Sequence, residues 1–162
     1  MSLTNDIGER GENIFAVRIT QDFIFIPCFM GAKWPAGDFY LEINDEANPY
    51  PFIVQTKSTI QGYNKGNGNL KVSVALDKLN NLRNRPLPTY IAGVDENSEK
   101  VFIRPAFDPN INYSSIPTSF FVLDPTNKVL SLSNLKKLKD EIIDFWNNSG
   151  MVNYKSNYNS QI

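Results

Sequence analysis

The segment Phe52–Thr59 constrains the fold of this chain more than any other part of its sequence. Its apolar residues, with Ile53 and Val54 near the centre, predict a strand in the interior of a sheet. Gln55 and Lys57 then lie on one face of that strand, because successive side chains of a strand point to opposite faces. A lysine can protect an edge strand from pairing with other chains, but a lysine in a central strand indicates a functional site.

The remaining segments predict one α/β domain. A length of 162 residues fits a single domain, and we expect residues 1–150 to form it and residues 151–162 to be a loosely ordered tail. Gly8 and Gly11, inside the first helix, indicate that another backbone approaches that helix closely. The core order is helix, strand, strand, strand, helix, strand. Periodicity and turn residues place the elements at residues 5–20, 23–29, 38–44, 52–59, 73–85, 89–94, 100–104, 119–123 and 133–147.

Histidine is absent from the chain and cysteine occurs once. These counts exclude a Ser-His-Asp triad, a Cys-His pair, an imidazole-bound metal, an intrachain disulfide and a cysteine-rich zinc site. A bound metal must therefore be a hard cation held by oxygen atoms, such as Mg²⁺, Mn²⁺ or Ca²⁺. A general base must be a carboxylate, a lysine, a tyrosine or a water that one of these holds. We expect Cys28, in an apolar strand, to be a buried small hydrophobic residue.

The formal net charge of −1 conceals a separation of charge along the chain. Residues 47–93, the basic segment, contain six basic residues and one acidic residue, Asp77, and acidic residues flank them on both sides. This pattern predicts either a scattered, solvated surface or one basic face beside an acidic pocket, as a phosphodiester enzyme requires. Within the basic segment, the Gly/Asn-rich stretch 62–69 predicts a mobile loop. No run approaches the roughly 20 apolar residues that cross a bilayer, so we expect a cytoplasmic protein without a membrane partner.

Four polar residues on these elements point to one chemistry. They are Glu12 on the first helix, Asp38 at the start of the second strand, and Gln55 and Lys57 on the third strand. A short polar turn joins the second and third strands, so an antiparallel pair can place Asp38 beside the face of Gln55 and Lys57. Asp38, Gln55 and Glu12 are then candidate oxygen ligands for Mg²⁺ or Mn²⁺. Lys57 can orient the attacking water or stabilise charge that builds up on a phosphate.

The segments that carry these residues resemble the PD-(D/E)xK, restriction-endonuclease-like superfamily. Within it, the chain is similar to a family of uncharacterised bacterial domains related to Mrr-type restriction and Holliday-junction-resolvase-like nucleases. The matching pieces lie within roughly residues 7–105 and are Gly11-Glu12, Gly37-Asp38, Phe52–Ser58 and Leu87–Asp95. The resemblance implies a restriction-endonuclease-like three-layer α/β core with a mixed central sheet and a metal-dependent nuclease site.

The resemblance also implies a role for each of the four residues. Asp38 matches the central metal-binding aspartate, Lys57 the catalytic lysine, and Glu12 the helix-one glutamate of the resolvase-like branch. Gln55 stands where most members have Asp or Glu, which removes one negative charge and should weaken Mg²⁺ binding unless Glu12 compensates. Glu42, on the Asp38 face of the second strand, is an alternative ligand.

These features together predict a Mg²⁺-dependent DNA endonuclease-like domain that hydrolyses phosphodiester bonds in restriction, defence or repair. The nucleic acid backbone would follow four residues of the basic segment, namely Lys65, Lys71, Arg83 and Arg85. Two alternatives remain open: a catalytically inactive binding or assembly module of the same fold, and a partner-dependent toxin or immunity component. A homodimer or a complex with a partner protein is compatible with each of these functions.

Overall fold

The computed structural model describes residues 3–31, 38–112, 114–119 and 121–149, so Gly37 of the Gly37-Asp38 match and the expected tail 151–162 lie outside the described residues. None of the helices in the described part of the chain is long and apolar enough to cross a membrane. The elements follow one another as α1 (Leu3–Ile19), β1 (Phe25–Phe29), β2 (Phe39–Ile43), β3 (Phe52–Thr59), α2 (Leu76–Arg83), β4 (Thr89–Asp95), β5 (Lys100–Pro105), β6 (Val122–Leu123) and α3 (Lys128–Asn148).

The six strands form one sheet in the order β1-β2-β3-β4-β5-β6. β3 and β4 pair in parallel, and every other neighbouring pair is antiparallel. A parallel pair needs a crossover connection, and α2 lies within that connection. β3 has a partner on both sides, which confirms that it is a central strand. The mixed sheet and the element order confirm the predicted α/β class and its helix-strand-strand-strand-helix-strand core.

Two apolar clusters cover opposite faces of this sheet. The first joins Phe15 of α1 and Leu135 of α3 to Val54 of β3. The second joins Leu79 of α2 to Ile53, the neighbour of Val54 on the same strand. Because adjacent side chains of a strand point to opposite faces, α1 and α3 cover one face and α2 covers the other. The predicted three-layer arrangement is therefore confirmed.

The position of β1 at the edge of the sheet changes the environment of Cys28. The prediction that this thiol is buried is wrong, because Cys28 is exposed. Within the described residues β1 pairs with β2 alone, and the neighbouring Ile26 and Phe29 are 51% and 54% exposed. An apolar run predicts a strand, but it does not tell which strand forms the edge of the sheet.

Several element boundaries differ from the prediction, most of all the starts of the last two helices, and β6 is shorter than the predicted strand 119–123. Ser73 does not cap α2, which begins at Leu76. Val72 and Val74 are buried in the extended segment before the helix, and their alternation with exposed residues is that of a strand rather than of a helix. The last helix begins at Lys128, earlier than predicted. These shifts leave the placement of the candidate site residues unchanged.

Candidate active site

Asp38 lies immediately before β2 and is bound to the part of β3 that contains Gln55. The amide of Asp38 donates a hydrogen bond to the Val54 carbonyl oxygen at 3.2 Å. Its carboxylate Oδ2 accepts a hydrogen bond from the Thr56 amide at 2.6 Å. Asp38 therefore contacts the backbone on both sides of Gln55, and the antiparallel pairing of β2 with β3 brings these two residues together.

The side-chain oxygen of Gln55 is a buried polar atom without a partner among the described residues. Gln55 is 5% exposed, and its Oε1 has no hydrogen-bond partner among the described residues. An unpaired buried carbonyl oxygen costs about 1–3 kcal/mol, which indicates that this oxygen meets a ligand or a water. Gln55 shares with Ile53 the face of β3 that α2 covers. Lys57 follows on the same face and is half-buried.

Helix α1 approaches β3 closely beside Glu12. A Cβ atom at Gly11 would lie 2.3 Å from the Cβ of Ser58, a distance that real Cβ atoms do not adopt. The predicted close approach of another backbone is therefore confirmed at Gly11. It is wrong for Gly8, where a Cβ atom would have no atom of the described residues within 4 Å. The contact between α1 and β3 holds the half-buried Glu12 at the end of the sheet where Asp38 lies.

The charged forms of the Glu12 and Asp38 carboxyl groups are destabilised. Burial raises the pKa of Glu12, and the negative charge of Asp38 raises it further. Burial also raises the pKa of Asp38, and the Thr56 amide, Lys57 and Lys78 offset that rise only in part. A divalent cation bound by both carboxylates would replace this repulsion by attraction.

Glu12, Asp38, Gln55 and Lys57 together are the candidate active site. Two carboxylates and one side-chain carbonyl oxygen are the kind of donors that Mg²⁺ and Mn²⁺ prefer. No group of three or more Asp, Glu, His or Cys side chains that could hold a metal occurs in the described parts of the chain. A metal held here by the two carboxylates would take a further protein oxygen from the unpaired Oε1 of Gln55. The residues present fit a hard divalent cation.

Lys78 of α2 is a second lysine whose charge acts on Asp38, and the sequence did not single it out. Its positive charge lowers the pKa of Asp38, and its side chain is half-buried. In the sequence it is one of six bases in the basic segment, and nothing distinguishes it from the others. The fold brings Lys78 to this region because α2 packs through Leu79 on the face of β3 that carries Lys57.

The four residues predicted to follow a nucleic acid backbone have different environments. Lys65 and Lys71 are exposed. The Nε of Arg83 donates a hydrogen bond to the Ala106 carbonyl oxygen at 2.6 Å. The Nε of Arg85 donates to a side-chain oxygen on α2 at 3.1 Å. Both arginines therefore use part of their hydrogen-bonding capacity within the fold, and the role of all four residues stays a prediction.

The Gly/Asn-rich loop 62–69, which is predicted to be mobile, makes hydrogen bonds across itself and to β4. The amide of Asn64 donates to the carbonyl oxygen of Asn69 at 2.8 Å across the loop. The hydroxyl of Tyr63 donates to Asp95 Oδ2 at 2.9 Å, which attaches the loop to the end of β4. Burial and this contact raise the pKa of Tyr63 to about 12. The loop is thus fixed at the end of the sheet where β3 ends.

Glu42 does not reach the candidate active site. It lies four positions after Asp38, which corresponds to about 13 Å along an extended strand. Its Oε2 accepts a hydrogen bond from the Tyr40 hydroxyl at 2.8 Å. A shared metal would require both side chains within about 2.1 Å of the same ion, so the alternative that Glu42 replaces a ligand is wrong.

Glu96 is a buried carboxylate. The sequence does not indicate this burial, because Glu96 stands among polar residues between the predicted strands 89–94 and 100–104. It is fully buried, and neither carboxylate oxygen has a hydrogen-bond partner among the described residues. Burial raises the pKa of Glu96, and the positive charge of Arg10 on α1 lowers it only in part. The structure therefore contains an uncompensated carboxyl group outside the candidate active site.

The comparisons with known proteins add one similar structure. No family model matches the chain, and no curated protein matches it. A solved structure of a bacterial homing endonuclease, I-Ssp6803I, is similar with a TM-score of 0.49 and 14% sequence identity, and the match covers 86% of this chain and 99% of that chain. A likeness at this level carries no argument about function, which must come from the residues of this chain.

Proposed function

We propose that this chain is a divalent-metal-dependent nuclease of the PD-(D/E)xK type that hydrolyses phosphodiester bonds in DNA. The observation that carries the proposal is the buried, unpaired Oε1 of Gln55 in a strand segment that Asp38 contacts on both sides. Glu12 and Asp38 supply the negative charge, and both have raised pKa values. Lys57 lies two residues after Gln55 on the same face of β3.

In this proposal Asp38, Glu12 and Gln55 hold Mg²⁺ or Mn²⁺. When bound, the ion would polarise a phosphate oxygen and lower the pKa of a bound water. Lys57 orients the attacking water and stabilises the negative charge that builds up on the phosphate. The water oxygen forms a bond to phosphorus, and the bond from phosphorus to the leaving sugar oxygen breaks. The electron pair of that bond remains on the leaving oxygen, which takes up a proton, while the water loses one.

Cleavage of a supercoiled plasmid in the presence of Mg²⁺ tests the proposal, with EDTA as the metal-free control. We expect Lys57→Ala to cut at least about a hundredfold more slowly than the parent, because it removes charge stabilisation at the reacting phosphate. The matched control is Lys136→Ala, which removes an exposed lysine from α3 on the other side of the sheet. If Lys57→Ala cuts as fast as Lys136→Ala, the assignment of the site is wrong.

A catalytically inactive module of the same fold is the second candidate. Gln55 favours it, because an amide in place of a carboxylate leaves the site with only two negative charges to hold the ion. The two candidates differ in two results, DNA cleavage and metal binding. An inactive module gives neither cleavage of single- or double-stranded DNA nor binding of Mg²⁺ or Mn²⁺ at millimolar concentration.

A further inference from the structure

Helix α2 is fixed over the face of β3 that carries the candidate active site. Leu79 and Leu82 of α2 are buried in the apolar cluster that also contains Ile53 and Ile91. Ile53 lies on the same face as Gln55, because the two are separated by one residue of a strand. α2 is therefore held on both of the parallel strands at the centre of the sheet.

Lys78 is the residue of α2 whose charge acts on this site. It directly precedes the buried Leu79 and is half-buried itself, whereas its other neighbour, Asp77, is exposed. Its positive charge stabilises the carboxylate of Asp38, as that of Lys57 does. Two ammonium groups, one from β3 and one from α2, therefore act on the same carboxylate.

The balance of charge indicates what Lys78 does there. The ammonium groups of Lys57 and Lys78 both act on the carboxylate of Asp38, whereas Glu12 is acted on by the like charges of Asp38 and Glu9. Around Asp38 two positive charges therefore meet one negative charge, and a bound divalent cation would add two more positive charges, which suits a polyanion with several neighbouring phosphates. Lysine binds phosphate as a point charge and needs no fixed geometry.

We propose that Lys78 is a phosphate-binding residue of the site, which contacts the nucleic acid backbone at or next to the phosphate that is cut. This inference rests on the proposed nuclease function and adds a residue from α2 to it. The contact requires no metal, because the ammonium group and the phosphate attract one another directly. Lys78 is thus expected to contribute to binding in the absence of cleavage.

Binding of a fluorescein-labelled 20-base-pair DNA duplex in EDTA, measured by fluorescence anisotropy at several salt concentrations, tests the inference. For Lys78→Ala we expect about five- to tenfold weaker binding at low salt and a slope of log K against log salt that is smaller by about one. Lys78→Arg keeps the charge and should bind like the parent. Lys136→Ala, which removes one exposed lysine from the opposite face, should also bind like the parent.

The outcomes separate this inference from the function on which it rests. If the parent cuts or binds DNA and Lys78→Ala binds with the same affinity and slope as Lys136→Ala, Lys78 is not a phosphate contact and only the inference is wrong. If the parent neither binds nor cuts DNA, the proposed function and the inference both fail. Far-UV circular dichroism verifies that each variant is folded, and alanine favours the helix at this position.

Discussion

Replacing Gly11 with alanine places a methyl group in space that Ser58 already occupies. The added Cβ would lie 2.3 Å from the Cβ and 2.4 Å from the Oγ of Ser58, whereas carbon atoms in contact are normally about 3.5–4.0 Å apart. Relief of this overlap requires α1 to move away from β3. Glu12, the next residue of α1, would move with it, so the substitution should weaken metal binding as well as the fold.

The size of the effect follows from two opposing contributions. Overpacking a close contact costs about 1–3 kcal/mol, and alanine is favoured over glycine inside a helix by about 1 kcal/mol. We expect Gly11→Ala to lower the free energy of unfolding by up to about 2 kcal/mol, which corresponds to a fall in Tm of up to roughly 8 °C for a chain of this size. Urea unfolding followed by circular dichroism measures the difference.

Gly8→Ala is the matched control for this prediction. It makes the same change in the same helix, at a position where a Cβ atom meets nothing within 4 Å in the described part of the chain, so it should raise stability by up to about 1 kcal/mol. Ser58→Gly removes both atoms that overlap and should restore stability to Gly11→Ala in a double-mutant cycle. If Gly11→Ala stabilises the protein as much as Gly8→Ala does, the close approach of α1 to β3 is refuted.

Three further predictions concern buried charge. Gln55→Glu adds a third carboxylate, so calorimetry should show Mn²⁺ binding at least about tenfold more tightly; unchanged affinity would mean that residue 55 is not a ligand. Glu96→Gln removes a carboxyl group whose pKa is raised by burial. Parent and variant should have similar stability below about pH 4, and the variant should become the more stable one as the pH rises; parallel curves of unfolding free energy against pH would refute this. The pKa values of Glu12 and Asp38 are raised, so these groups take up protons at a higher pH than ordinary carboxylates do. As the pH is lowered, Mn²⁺ affinity should therefore begin to fall before the pH reaches the range in which ordinary carboxylates titrate. An affinity that first falls within that ordinary range would contradict the assignment.

The central part of the fold could be predicted because its signals are local. The period of a strand is two residues, so alternation along β3 was sufficient to place Gln55 and Lys57 on one face. The short polar connection to β2 was sufficient to bring Asp38 beside them. The element order followed from periodicity and turn residues, and the mixed sheet from the resemblance of these segments to a known superfamily.

Other features depend on packing between distant segments, which the sequence does not display. Cys28 was expected inside the protein, because an apolar run does not tell an edge strand from a central one. Lys78 has the same sequence context as the other bases of its segment, and only the packing of α2 on the sheet brings its charge to Asp38. Glu96 stands in a polar turn and is nevertheless fully buried.

Calorimetric titration of Mn²⁺ into the parent and into Asp38→Asn tests most directly the claim that Glu12, Asp38 and Gln55 form a divalent cation site. Asparagine keeps an oxygen that can accept the hydrogen bond from the Thr56 amide, so the variant should remain folded while the site loses one of its two negative charges. We predict saturable binding of about one ion per chain to the parent and at least about tenfold weaker binding to Asp38→Asn. No measurable binding to the parent at millimolar Mn²⁺, or equal affinity in the two proteins, would contradict the account.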